Sequence, residues 1–259
     1  MAAPYPQVVL LGDSLIQGAC QTNEGFSFQS ALETHCVRRY DVVNRGFSGY
    51  NTSQTLKILD KIILAPSESG PKIKYLLVLL GANDAAIPMQ VANQHVDLAE
   101  YKVNLAKIIT HPNVTAHKAQ VLLVTPPPLD EIFKAKLDIE AGFPQSTRET
   151  KISAQYSEAA RQVAKEVEGV VLVDLWKELM DVAIAKTPGF DASTGTLGDP
   201  ETGKRGYLEQ LLKDGLHMTG EAYEIFFKAV EKHIEPQHPN LSQEGWIYPD
   251  WREAEWLKN

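Results

Sequence analysis

Gln7-Val8-Val9-Leu10-Leu11, followed directly by Gly12-Asp13-Ser14-Leu15, decides the fold class. A short apolar run that ends in a glycine and a polar turn is the pattern of a strand buried on both faces, as in a parallel sheet covered by helices. Similar runs return at Asp41-Asn44, Lys74-Leu80, Gln120-Thr125 and Val170-Asp174. Between these five strands, the segments 28–37, 52–64, 94–110 and 147–167 space apolar residues three and four apart. Leu56, Leu59 and Ile63 are one such set, and Val103, Ala106 and Ile109 another. That is the period of a helix with one buried face. The alternation predicts a three-layer α/β/α domain on a parallel five-stranded sheet, spanning residues 1–235.

The rest of the composition narrows the function classes. With 25 Lys+Arg against 33 Asp+Glu, the 259-residue chain carries a formal charge of −8. Its longest basic stretch is the Arg38-Arg39 pair, which argues against nucleic acid or an anionic membrane as partner. Hydrophobic residues at 44% are enough for a packed core, so disorder is excluded as the main state. Cys20 and Cys36 are too few for a disulfide framework and lack the spacing of a zinc site, so both are expected as reduced thiols. The first residues carry no basic side chain, and the apolar run at Val8-Leu11 is far too short for a signal-peptide core or a membrane span. A cytosolic protein is expected.

Two segments depart from the strand-helix rhythm. Residues 187–206 are rich in glycine and poor in large apolar side chains, which predicts a surface excursion and a candidate lid. From Pro236 to Asn259 helical rhythm is lost, yet Trp246, Tyr248, Trp251 and Trp256 all lie there. So aromatic a tail is expected to dock, on the domain or on a partner subunit in a homodimer.

In an open parallel sheet, ligands bind beyond the carboxyl ends of the strands. The turns after the first four strands read Gly12-Asp13-Ser14-Leu15, Asn44-Arg45-Gly46-Phe47-Ser48-Gly49, Gly81-Ala82-Asn83-Asp84 and Thr125-Pro126-Pro127-Pro128. Further on, Lys213-Asp214-Gly215-Leu216-His217-Met218-Thr219-Gly220 precedes an amphipathic helix. In this order, the blocks resemble the SGNH (GDSL) hydrolase superfamily, with Ser14, Gly46, Asn83 and His217 as its four name-giving residues. The stretch from Arg45 to Thr52, the Thr125-Pro128 run and Asp214-Gly215-Leu216-His217 are most similar to the branch of isoamyl acetate-hydrolysing esterases. The resemblance implies a flavodoxin-like sheet and an esterase acting on acetate esters of medium alcohols.

The residue types also make chemical sense by themselves. A serine hydroxyl needs a general base within hydrogen-bond reach, itself oriented by a carboxylate. Asp214 and His217, three positions apart on one turn, suit those roles toward Ser14. The plainer alternative makes Asp214 a helix cap and His217 a first-turn residue. Acyl transfer also needs donors for the oxyanion. Those expected are the backbone N–H groups of Ser14 and Gly46 and the side-chain amide of Asn83, although either of the last two is also a common turn residue. Asp13 and Asp84 are expected to fix loops by hydrogen bonding rather than to serve as a second triad acid.

Other signals are weaker. Gly198 to Lys204 nearly spells a phosphate-binding loop, but Arg205 replaces the Ser or Thr and no strand precedes it. The order Ser, Asp, His also suits an α/β-hydrolase, yet Ser14-Leu15-Ile16 lacks the second glycine of that elbow. His35, His95, His111, His117, His233 and His238 form no close metal-ligand pair. The expected activity is hydrolysis of small carboxylic esters through an acyl-enzyme, with no metal or organic cofactor. A carbohydrate acetyl-esterase and a non-catalytic scaffold that binds through its tail are the alternatives.

Overall fold

The computed structural model describes residues 4–89, 93–238 and 243–257. Five parallel strands, β1 (Gln7–Gly12), β2 (Asp41–Gly46), β3 (Ile73–Leu79), β4 (Gln120–Val124) and β5 (Val170–Val173), lie in the order β2-β1-β3-β4-β5. The helices are α1 (Ser14–Gln17), α2 (Phe28–Cys36), α3 (Thr52–Ile62), α4 (Leu98–Ile109), α5 (Pro112–His117), α6 (Glu131–Glu140), α7 (Thr150–Glu166), α8 (Leu175–Ala185), α9 (Leu208–Leu211) and α10 (Gly220–Glu231). Successive side chains of a strand face opposite sides. Val8 and Leu10 of β1 therefore join a core with α2, α8, α9 and α10, while Val9 and Leu11 join a second core with α3, α4, α5 and α7. These are the outer layers of an α/β/α sandwich. The crossovers from β1 and β3 leave in opposite directions, so a crevice opens beyond their carboxyl ends. Ser14 follows β1 and Asn83 lies just past β3.

Several boundaries differ from the sequence expectation for identifiable reasons. β2 runs on to Gly46, because Arg45 and Gly46 still pair with Leu11 and Gly12. α4 begins at Leu98 rather than near Gln94, since Val96 N–H is taken by Asp84 O at 3.2 Å. α7 begins at Thr150 rather than Thr147, because Thr147 N–H and Oγ1 both bond Asp138 Oδ2. Helices α1, α5, α6, α8 and α9 arise where no element was assigned, α6 and α8 being the longest of them. Among α6 side chains only Asp138 is buried, so its sequence shows no apolar stripe. α8 does carry one, Leu175, Leu179 and Ala183, placed directly after β5.

The 187–206 segment runs mostly over the surface, as expected, but is anchored at residues 197–199 and at Arg205. Leu197 is fully buried. Ile132 N–H and Thr150 Oγ1 both donate to Gly198 O. Arg205 Nε reaches the buried Asp130 Oδ2 at 2.7 Å, and Asp130 N–H in turn bonds Gly215 O at 2.9 Å. The excursion therefore braces the loop that carries Asp214.

The described part of the C-terminal segment contacts the turn after α2. Arg38 stacks on the Trp246 ring 3.8 Å from its centroid and donates to Tyr248 O, while Arg39 Nε donates to Glu244 O at 2.8 Å. Trp251 and Trp256 stay largely exposed. Cys20 and Cys36 are both free. Among the described residues no helix is long and apolar enough to cross a membrane.

Candidate active site

The site is assembled from three loops at the crevice. β1 ends at Gly12, and Asp13 caps the short α1 by accepting Leu15 N–H on Oδ1 at 2.9 Å. Ser14 then occupies the first helical position, where its own N–H has no partner inside the helix. Tyr223 of α10 donates to Leu15 O at 2.8 Å and holds this turn against the last helix.

Asp214 and His217 sit on a tight turn closed by Lys213 N–H donating to His217 O at 2.9 Å. The two oxygens of Asp214 do different work. Oδ1 accepts the backbone N–H groups of Leu216 and His217, at 3.0 and 2.7 Å, and Oδ2 lies 2.7 Å from His217 Nδ1. The capping alternative and the orienting role thus coexist on one carboxylate, whereas α10 itself is capped by Thr219, which accepts Ala222 N–H. Burial pushes the Asp214 carboxyl up, but the bonds from the His217 ring and backbone outweigh it and hold the group well below the usual carboxylate range. An ionised carboxylate only accepts, so Nδ1 carries the ring proton and Nε2 is left as an acceptor. Nε2 lies 2.9 Å from Ser14 Oγ.

Asn83 is likewise brought to the crevice. Its Nδ2 donates to Tyr50 O at 2.9 Å, and its Oδ1 accepts from Arg148 at 2.9 Å. An amide nitrogen has two hydrogens, so one remains after the Tyr50 bond.

Gly46 departs from expectation. Its N–H donates to Asn44 Oδ1 at 2.9 Å, so that donor is already committed. A Cβ at this position would stand 2.0 Å from Gln17 N, so the glycine is needed for close passage of β2 past α1. Three positions on, the picture reverses. Phe47, Ser48 and Tyr50 N–H groups bond Gly12 O, Gln17 Oε1 and Phe47 O, while Gly49 N–H has no acceptor among the described residues. Gly49 holds φ +83°, a conformation that favours glycine. Both glycines are visible in Gly46-Phe47-Ser48-Gly49. Gly46 N–H is taken because the Asn44 side chain folds back on it, a contact for which the sequence carries no signal.

Asp13 and Asp84 do fix loops. Asp84 Oδ1 accepts both the N–H and the hydroxyl of Thr52, tying α3 to the turn after β3. Burial raises the Asp13 carboxyl to about 7, against the Leu15 bond and helped by the nearby Asp84 charge, and burial raises Asp84 to about 6 against its Thr52 bonds. Sequence reasoning missed Arg148 and Gln94, which meet behind Asn83 at 3.1 Å. A lone arginine in an expected helix start gives no pattern to find it by.

Beside Ser14 and His217 opens a cavity of ≈ 210 Å³, whose further walls include Gln17, Gln21, Ser48 and Lys213. Among the described residues no cluster of three or more His, Cys, Asp and Glu side chains is disposed to hold a metal ion. His35 and His117 spend ring nitrogens on backbone carbonyls, Ile234 O and Leu64 O.

Comparison with known proteins agrees with this architecture. The model of the GDSL-like lipase/acylhydrolase family matches residues 10–225. The chain is 30% identical over 261 residues to the isoamyl acetate-hydrolyzing esterase 1 homolog of Mus musculus, covering 98% of this chain and 90% of that protein. It is 28% identical over 239 residues to a GDSL esterase/lipase of Arabidopsis thaliana, covering 89% and 86%. Among solved structures, the acetyl xylan esterase AlAXEase superposes with a TM-score of 0.61 at 17% identity, over 88% of this chain and 99% of that one, a likeness of fold. With its family-typical blocks on the turns of a 2-1-3-4-5 parallel sheet, this chain belongs to the GDSL-like lipase/acylhydrolase (SGNH hydrolase) family and is a carboxylic ester hydrolase.

Proposed function

We propose that the chain hydrolyses small carboxylic esters of the acetate type, isoamyl acetate among them, through an acyl-enzyme on Ser14. The observation that carries this reading is the unbroken relay of 2.7 Å from Asp214 to His217 and 2.9 Å from His217 to Ser14. Ser14 Oγ attacks the ester carbonyl while its proton passes to His217 Nε2, and Asp214 stabilises the imidazolium that forms. The carbonyl oxygen becomes an oxyanion, held by Ser14 N–H, Gly49 N–H and the remaining Asn83 amide hydrogen. When the carbon–oxygen bond to the alcohol breaks, the Nε2 proton goes to the departing alkoxide. Water then attacks the acyl-serine, again losing its proton to Nε2, and the carboxylic acid leaves as Ser14 is reprotonated. Gly49 takes the place expected for Gly46 because Gly46 N–H is taken by Asn44 Oδ1, whereas Gly49 N–H has no acceptor among the described residues.

The acyl side of the reading is supported by the small cavity, which has room for a short acyl group. The isoamyl alcohol is supported by the relatives that bear that ester's name. The polar walls, Gln17, Gln21, Ser48 and Lys213, favour a second reading in which the alcohol is a sugar hydroxyl. Turnover of p-nitrophenyl acetate by wild type and Ser14→Ala tests the mechanism, and full activity in a homogeneous Ser14→Ala preparation sinks it. The kcat/KM ratio for isoamyl acetate against acetylated xylo-oligosaccharides separates the two alcohols.

A further inference from the structure

Arg148 lies in the loop before α7 and is 6% exposed. All four of its acceptors among the described residues are neutral. Nε donates to Ala82 O at 2.9 Å, Nη2 to Asn83 Oδ1 at 2.9 Å and to Gln94 Oε1 at 3.1 Å, and Nη1 to Thr147 Oγ1 at 3.3 Å. Taking a guanidinium out of water is costly, and the usual return is a carboxylate partner. Here the planar fork instead grips the backbone and side chain of two consecutive residues, Ala82 and Asn83. Gln94 extends the contact. Its Nε2 donates to Gly49 O at 2.9 Å, and its own carbonyl accepts Asn51 Nδ2 at 2.9 Å. One buried cation therefore links the loop of Asn83 to the turn of Gly49.

We propose that Arg148 is a positioning residue for ester hydrolysis, aiming the Asn83 amide at the developing oxyanion and, through Gln94, holding the Gly49 turn in register with it. The inference rests on the reading of Ser14, Gly49 and Asn83 given above. Its first ground is the handedness of the amide. Asn83 turned over would present its oxygen to the oxyanion and repel it. Arg148 has only donors and so requires oxygen on its side, while the Tyr50 carbonyl only accepts and so requires nitrogen on the other. The second ground is electrostatic. A cation bonded to the amide oxygen draws electron density from the nitrogen and strengthens its N–H as a donor, an effect that buried surroundings screen little. The third is preorganisation, because donors held before the reaction need not reorganise when charge develops.

The test is a double-mutant cycle between Arg148 and Asn83. Arg148→Met and Asn83→Ala, alone and combined, are compared by thermal unfolding, by titration of Ser14 with a fluorophosphonate, and by kcat and KM for p-nitrophenyl acetate. Arg148→Met is expected to lower kcat by about 30- to 100-fold with KM within about threefold, since the interaction serves the transition state. Labelling of Ser14 is slower but still reaches one per chain. In the Asn83→Ala background the same substitution is expected to cost at least about threefold less than in wild type, because the amide it aims is gone and only its link through Gln94 to the Gly49 turn is left to lose. A residue that merely supports the fold lowers both backgrounds alike, so additive losses overturn the proposal, as does an unchanged kcat in Arg148→Met. Arg148→Lys is the second variant and carries the cycle if the methionine variant does not fold. Lysine lacks the planar fork that meets Ala82 O and Asn83 Oδ1 in fixed geometry, so kcat is expected to fall by about tenfold, and wild-type kcat in that variant overturns the proposal. Failure of wild-type Ser14 to react with the fluorophosphonate breaks the underlying reading, whereas additivity with a reactive Ser14 breaks only this inference.

Discussion

Ser14 Oγ and His217 Nε2 lie 2.9 Å apart although 203 positions separate them in sequence. Groups that act as one unit fail as one unit. Ser14→Ala and His217→Ala are each expected to lower kcat for p-nitrophenyl acetate by about 10⁴-fold or more, and the double variant to be no worse than either. Steady-state kinetics on the three proteins checks this, and multiplicative losses contradict the relay.

Asp214→Asn keeps an acceptor for the Leu216 and His217 N–H groups but presents an amide or a neutral oxygen to the ring. The wrong imidazole tautomer is then favoured, and kcat is expected to fall by about 10³- to 10⁴-fold. Stability supplies an independent check. The folded Asp214 carboxyl lies below its ordinary value, so its contribution is present above that value and is lost as pH falls through the folded one. Acid unfolding of wild type should contain this loss, and the unfolding curve of Asp214→Asn should lack it.

Asp13 has the opposite sign. Its carboxyl rises from 3.8 to about 7 on folding, so the folded chain binds the proton more tightly, and its contribution is full below pH 4 and lost as pH rises through 7. The rise corresponds to at most ~4 kcal/mol. Asp13→Asn imitates the protonated form and keeps the Leu15 bond. Its Tm relative to wild type is expected to climb between pH 5 and pH 8. A difference that is flat across that range contradicts the burial argument.

The two glycines of the second block should behave differently. Alanine at Gly46 places a carbon on the Gln17 backbone and is expected to destabilise by about 1–3 kcal/mol or more. Alanine at Gly49 meets no atom nearer than 3.4 Å but must adopt φ +83°, at a cost of about 1–2 kcal/mol, and disturbs the turn whose N–H is free. Calorimetry and kcat together separate them. Gly46→Ala should lose mainly Tm, and Gly49→Ala mainly kcat.

Ending the chain at Pro236 removes Glu244 O from the buried Arg39 and the Trp246 ring from Arg38. Tm should fall while kcat is retained, and light scattering on both proteins reports whether the exposed Trp251 and Trp256 also join two copies.

The layers were legible because a strand buried on both faces must be apolar throughout, and Val8 to Leu11 and Leu76 to Leu79 are. Strand order and sheet register follow less directly, and α6 was invisible because it buries no apolar stripe. The residues proposed as the triad, Ser14, Asp214 and His217, could be picked out in the sequence because each carries its chemistry in its type and follows a recognisable block, and the fold brings the three within hydrogen-bond reach. By itself, the sequence determined the class of sheet, the crevice where reactive groups gather and the family of chemistry. Tertiary structure alone decided that Gly46 N–H is taken while Gly49 N–H has no acceptor among the described residues, and which groups bond the Asn83 amide. Asn44 captures the Gly46 N–H, and Arg148 reaches Asn83 from 65 positions away. The physical reason is that residue type sets what a group can donate or accept, while only its neighbours in space determine whether that capacity is already used.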